Sequence, residues 1–156
     1  MTRPLNYTTT VPAPQTIAEC LTFLAEAGAA SVSIHYDAAH QPSGLSFSLN
    51  TPHGARNFTL PVNVDGCWAA ITKMLRTNAP HVSRGQLNKL GSRLHAHDVA
   101  WRVVKDWLEA TLAIIAAQMA TLDEVMLPYL HVDEERTLWQ AYREREDALE
   151  LEAGSG

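Results

Sequence analysis

Between Asp98 and Leu122, apolar residues return every three or four positions. Trp101, Val104, Leu108, Leu112, Ile115, Met119 and Leu122 fall on one stripe of an α-helix. Val103, Trp107, Ala110, Ile114 and Ala117 form a second stripe beside it. So wide an apolar arc predicts a helix buried on two sides, with Arg102, Lys105, Asp106 and Glu109 on the remaining wet face. The helix is expected to begin as early as Ser92 and to be the pillar of the fold. The rest of the chain must supply what covers it.

That cover is legible upstream. Residues 1–15 carry Pro4, Pro12 and Pro14 among threonines and read as an extended arm. Thr16, with Glu19 three positions on, reads as the cap of a helix over 16–27, whose apolar face is Ile17, Cys20, Leu21 and Leu24 and whose stop is Gly28. Strands follow over 31–36, 44–50 and 57–61. In each, every second residue is apolar: Val32, Ile34 and Tyr36; Leu45, Phe47 and Leu49; Phe58 and Leu60. Period two with one apolar face predicts an antiparallel meander, wet on its other side, and Pro61 should end the third strand. A helix over 64–75 should set Trp68, Ile71 and Leu75 against the core. The stretch 77–91 reads as a loop holding at most a short helix over 83–90 started by Ser83.

Beyond the pillar, Thr121 should cap a short element over 122–127 closed by Pro128. Asp133 should cap a last helix in which Leu138, Trp139, Tyr142 and Leu149 are sparse among charges. The fold class expected is α+β: an α-β-β-β-α core with a three-stranded antiparallel sheet covered by a long buried helix, and an acidic C-terminal helix. The expected divisions are an arm over 1–15, one domain over 16–132 and an acidic helix and tail over 133–156.

Trp101-Arg-x-x-Lys-Asp-Trp107, the apolar helix after it, Glu124-Val-Met-Leu-Pro-Tyr129, and Phe58-x-Leu-Pro61 upstream together resemble a family of small bacteriophage and mobile-element proteins. The resemblance covers roughly residues 16–130 and its motifs are structural. It implies a mobile-element context and brings no activity, site or cofactor with it.

Composition bounds the rest. A chain of 156 residues, 46% hydrophobic and 19% charged, can bury the core of a single domain. No run approaches the roughly 18 uncharged apolar residues that span a bilayer, and Met1 to Tyr7 lacks the apolar core of a secretion signal. Cys20 and Cys67 have apolar neighbours and no Cys-x-x-Cys spacing, so both are expected reduced and buried. These features predict a soluble cytoplasmic protein with no membrane partner.

The net charge of −5 is unevenly spread. From Lys73 to Lys105 seven cations face only Asp98, giving +6, whereas the span from Asp133 to Glu152 carries −5. A basic segment can contact phosphates without reading sequence. The candidate nucleic-acid-binding residues are therefore Arg76, Arg84, Lys89, Arg93, Arg102 and Lys105, with Asn78, His81, Ser83 and Asn88 as added donors. Equally open is that these charges are solvated or pair with the acidic tail.

Three other chemistries compete. Leu138, Trp139 and Tyr142 are candidate protein-binding anchors, since aromatic residues dominate interface energetics. His95, His97 and Asp98 hold metal-ligand types, but positions i and i+2 of a helix point about 200° apart, and the plainer reading is Asp98 as a helix cap beside two exposed histidines. Asp106 and Glu109 share a face, with Lys105 and Glu109 set for an i, i+4 ion pair. No nucleophile elbow, phosphate loop or paired-cysteine motif occurs. We therefore assign no catalytic residue, metal or cofactor. The expectation is a non-enzymatic accessory protein that binds nucleic acid or a nucleoprotein complex through residues 73–105. The alternatives are a protein–protein module built on the acidic helix, an inhibitor or assembly subunit acting on a host or element-encoded partner, and, behind both, a metal-dependent hydrolase.

Overall fold

The computed structural model describes residues 3–77 and 83–155, so Asn78 and His81 lie outside the described residues. The order is α1 (Ala13–Glu26), β1 (Ser31–Tyr36), β2 (Pro42–Thr51), β3 (Gly54–Pro61), α2 (Val64–Thr77), α3 (Arg84–Leu90), α4 (Arg93–Ala116), α5 (Leu122–Met126), a 3-10 turn over Leu127–Tyr129, and α6 (Leu138–Gly154). The fold is α+β with the α-β-β-β-α core read from the sequence.

The sheet is an antiparallel meander in the order β1-β2-β3. Its register sets Phe47 between Val32 and Phe58, and Leu45 between Ile34 and Leu60. One face therefore carries a continuous apolar surface on which Leu45, Phe47, Leu49, Phe58 and Leu60 are buried, and the Phe47 and Phe58 rings stack at 5.7 Å. Burying each such side chain is worth about 1.5–3 kcal/mol. The pillar, α4, packs along both α1 and α2. It reaches the sheet through Trp101, which is fully buried and donates from Nε1 to the Pro42 carbonyl at 3.1 Å. His97, one turn earlier, donates from Nε2 to the same oxygen at 2.8 Å. Two side chains of α4 thus clamp the first residue of β2.

Several boundaries differ from the sequence reading, each for a physical reason. α1 starts at Ala13 rather than Thr16. Pro12 and Pro14 bracket its first residue with preset φ angles, and the Ala13 N–H is capped across the fold by Asp98 Oδ1 at 2.8 Å. Thr16 is consequently a buried interior residue, and Glu19 serves an ion pair rather than a capping box. α4 ends at Ala116 instead of running to Leu122. Gln118 adopts φ +58°, and the bonds from its N–H to Ile115 and from Met119 N–H to Ile114 close a Schellman motif. The distal part of the pillar is also less covered than expected: Ala110 and Ile114 are exposed, and Met119 is 77% exposed. Its buried residues concentrate between His95 and Leu108, with Thr111 beyond. Trp68, expected inside, is 39% exposed, while Ile71 and Leu75 beside it are buried.

The last helix is capped by Thr137, not Asp133. Asp133 instead closes a turn, accepting the Glu135 and Arg136 N–H groups and the Arg136 guanidinium. The short helices α3 and α5 follow the expected caps, Ser83 and Thr121, and α4 starts at the early limit expected for it, where Ser92 accepts the His95 N–H. No described helix is long and apolar enough to cross a membrane.

Candidate interaction surface

The basic segment separates into two groups in space. Arg93, Arg102 and Lys105 are engaged by acids of the body. Arg93 reaches Asp65 at 3.1 Å and Asp37 at 3.7 Å, and Arg102 meets Glu19 at 2.6 Å. Lys105 meets Glu109 at 2.8 Å in the expected i, i+4 pair and also touches Asp106 at 3.4 Å. The bond to Glu109, aided by Asp106, holds the Lys105 ammonium above its ordinary pKa against the opposing cost of burial. None of these three cations pairs with the acidic tail. Arg102 fastens α4 to α1, Arg93 ties its start to α2 and to the β1–β2 connection, and Lys105 pairs within α4. The arm is held separately by Asn6 Nδ2, which donates to Asp106 at 2.7 Å.

Lys73, Arg76, Arg84 and Lys89 form the second group. All four are exposed, and among the described residues none has an acidic partner within 4.0 Å. Lys73 and Arg76 of α2 line a cleft of about 520 Å³ together with Trp68, Ala69 and Thr72, and a neighbouring one of about 260 Å³ shares Thr72 and Arg76 and adds Leu75 and Leu87. Arg84 and Lys89 lie on α3 and line neither. Trp68 is fixed there because its Nε1 donates to the Gly91 carbonyl at 2.8 Å. Ser83, one of the expected donors, is spent on capping α3, and Asn88 is exposed on that helix.

The His95, His97 and Asp98 cluster is dispersed by the helix that carries it. Both histidines are buried rather than exposed. His95 Nε2 bonds the Tyr7 carbonyl at 2.5 Å, His97 Nε2 bonds Pro42, and Asp98 caps α1 instead of its own helix. Three side chains aimed at three separate backbone groups define no common ligand position. His97 Nδ1 is buried without a hydrogen-bond partner among the described residues. With Nε2 donating to a carbonyl, the neutral ring leaves Nδ1 as an unused acceptor. Cys20 is fully buried and its thiol is pushed up to about 11, first by burial and next by the Glu19 carboxylate. Cys67 is half-buried and shifted in the same direction by burial.

The protein-binding candidates sit on α6, which spans 17 residues and buries none of them. Leu138 is half-buried against the body, but Trp139 and Tyr142 are 50% and 53% exposed. Their rings stack on each other at 5.8 Å. Glu144 bonds Arg136 at 2.7 Å, and the packing of α6 on the body is concentrated at the Leu127–Tyr129 turn.

The outer face of the sheet holds a feature that the sequence reading missed. His35 Nε2, Ser46 Oγ, Thr59 Oγ1 and His131 Nε2 form one hydrogen-bonded chain with steps of 2.5, 2.5 and 2.6 Å. His131 Nδ1 faces the Asp133 carbonyl at 3.2 Å and must donate to it. In neutral His131, Nε2 is then an acceptor, and the protons run from His35 through Ser46 and Thr59 toward His131. This chain, with the bond from His131 N–H to Asn57 and the pairing of Leu130 with Phe58, holds residues 130 and 131 on β3. A signal existed, since His35, Ser46 and Thr59 occupy the polar positions of the alternation. Bringing them together required the register.

Compared with known proteins, the chain matches no family model, no curated protein and no solved structure.

Proposed function

We propose that the chain is a non-enzymatic protein-interaction module whose recognition element is α6. The observation that carries this reading is a 17-residue helix that buries no side chain yet presents a stacked Trp139–Tyr142 pair. Isolated helices of this length are marginal in water, and most helical stability comes from packing an apolar stripe. Trp139, Tyr142 and Leu149 fall on one such stripe, and all three are exposed. Rigid aromatic pairs supply large contact area at low entropy cost and are the usual anchors of interfaces. From Leu138 to Gly154 the helix carries −3, with five acids against Arg143 and Arg145. A complementary partner offers an apolar pocket rimmed by lysine or arginine. The mobile-element resemblance sets a context in which an inhibitor or assembly subunit is at home.

A photo-crosslinking residue at position 142 tests the reading. A discrete protein adduct is expected, and it should disappear when Trp139→Ala is added. Adducts unchanged by Trp139→Ala would overturn it.

A second reading is favoured by Lys73, Arg76, Arg84 and Lys89, whose charges no described acid neutralises. Such a patch suits nucleic-acid phosphates, with affinity falling steeply as salt rises. Arg93, Arg102 and Lys105 are occupied elsewhere, so the contact set is smaller than the segment's +6 implies. Absence of oligonucleotide binding at about 50 mM salt would remove this reading.

A further inference from the structure

We infer that the surface receiving α6 is the α2–α3 cleft of a second copy of this chain, so that two copies exchange their C-terminal helices. The inference names the partner for the interaction reading above and rests on it. Its ground is complementarity between two halves that one chain carries. The helix offers net −3 and an exposed Trp139–Tyr142 stack. The two adjoining clefts offer the exposed cations Lys73 and Arg76 beside the apolar residues Ala69, Leu75 and Leu87, and α3, which supplies Leu87, carries two more exposed cations, Arg84 and Lys89.

Within one molecule the two halves do not engage. No described residue of α6 forms an ion pair with those cations; its one pair to the body is Glu144 with Arg136. Nor does α6 pack substantially on α2 or α3, its main neighbour being the Leu127–Tyr129 turn. A cleft of about 520 Å³ walled by Trp68 has room for an aromatic side chain. The indole bond to Gly91 presets that wall before any partner arrives, which lowers the ordering cost of docking. Asp65, the acid lining the same cleft, is held by Arg93, so its charge is already compensated. When each copy gives its helix to the other, both contacts form around one two-fold axis and the assembly closes as a dimer.

Sedimentation of the full chain up to about 300 µM, at about 50 mM and about 500 mM salt, tests this. Expected is a dimer at the lower salt whose dissociation constant rises at least tenfold at the higher. Two variants alter exposed residues only: Lys73→Glu with Arg76→Glu, and Trp139→Ala with Tyr142→Ala. Circular dichroism checks that each folds. Each alone should be monomeric. Mixed, they pair the intact helix of the first with the intact cleft of the second, so a 1:1 species should return, weaker than the parent dimer. A chain monomeric throughout, a dimer indifferent to either variant, or a mixture that stays monomeric would each overturn the exchange. A monomeric parent that still gives the Trp139-dependent crosslink to another protein would leave α6 as a recognition helix and remove only this partner.

Discussion

The clamp on Pro42 makes a demanding prediction, because one carbonyl oxygen accepts from two side chains on adjacent turns of α4. A carbonyl has two lone pairs, so either donor alone leaves it satisfied. Trp101→Phe keeps an aromatic ring in the fully buried site and removes one neutral hydrogen bond and a small volume. It should cost about 1–2 kcal/mol. His97→Leu removes the other donor but also the buried Nδ1 that has no partner, so it should cost about 1 kcal/mol or less. The double variant strips the oxygen of both donors. Leaving a part-buried acceptor unpaired adds about 1–3 kcal/mol that neither single change incurs. The two substitutions should therefore destabilise by more than their sum.

Urea unfolding followed by circular dichroism measures this cycle, with the slope checked for constancy across the four proteins. Single changes that add to within about 0.5 kcal/mol would refute the shared acceptor. Trp101→Ala sets the scale. Its cost of about 3–5 kcal/mol should lower the melting temperature by roughly 6–20 °C in a chain of this size.

Asp98→Ala should cost about 1 kcal/mol by removing the cap of α1, and Asp98→Asn should recover most of it, as read from thermal melts. A chain ending at Leu138 should keep its cooperative melt within a few degrees because α6 buries nothing. A chain ending at Val132 should melt lower, since it loses the buried Thr137 and its bridge to His131. Because the Cys20 thiol is raised to about 11 in the fold against an ordinary 9.0, the unfolded chain ionises first. The stability this thiol contributes is complete below pH 9 and is lost as pH rises to about 11. Unfolding free energy followed over that window should fall less steeply in Cys20→Ala.

What could be read from the sequence was what neighbouring residues decide. The alternation of Leu45, Phe47 and Leu49 fixes a strand face without reference to the rest of the chain, and a serine or threonine before a helix caps it within three residues. The errors lie where a distant group decides. Pro12 and Pro14 read as an arm because the acceptor that turns them into a helix start, Asp98, is 85 residues away. The end of α4 was hidden for another reason. Gln118 takes a left-handed conformation with no glycine to announce it, and apolar residues continue past it.

The candidate surface divides along the same line. Net charge along the chain identified the basic segment, but charge counting cannot separate a cation that fastens two helices from one that faces water. Arg102 and Arg76 look alike in sequence, yet Glu19 neutralises the first and nothing described neutralises the second. The same physics removed the histidine cluster as a site. On α4 the residues at 95, 97 and 98 diverge, and each is drawn to whichever backbone group its direction meets. Tyr7, Pro42 and Ala13 are the groups met, so three residues with the chemistry of metal ligands become three fasteners of the N-terminal segment and β2. Among the described residues, the cations on α2 and α3 have no such neighbour to hold, and the stacked pair on α6 has none either. A surface left unspent by the fold is the physical reason to look for a partner at those two places and not along α4.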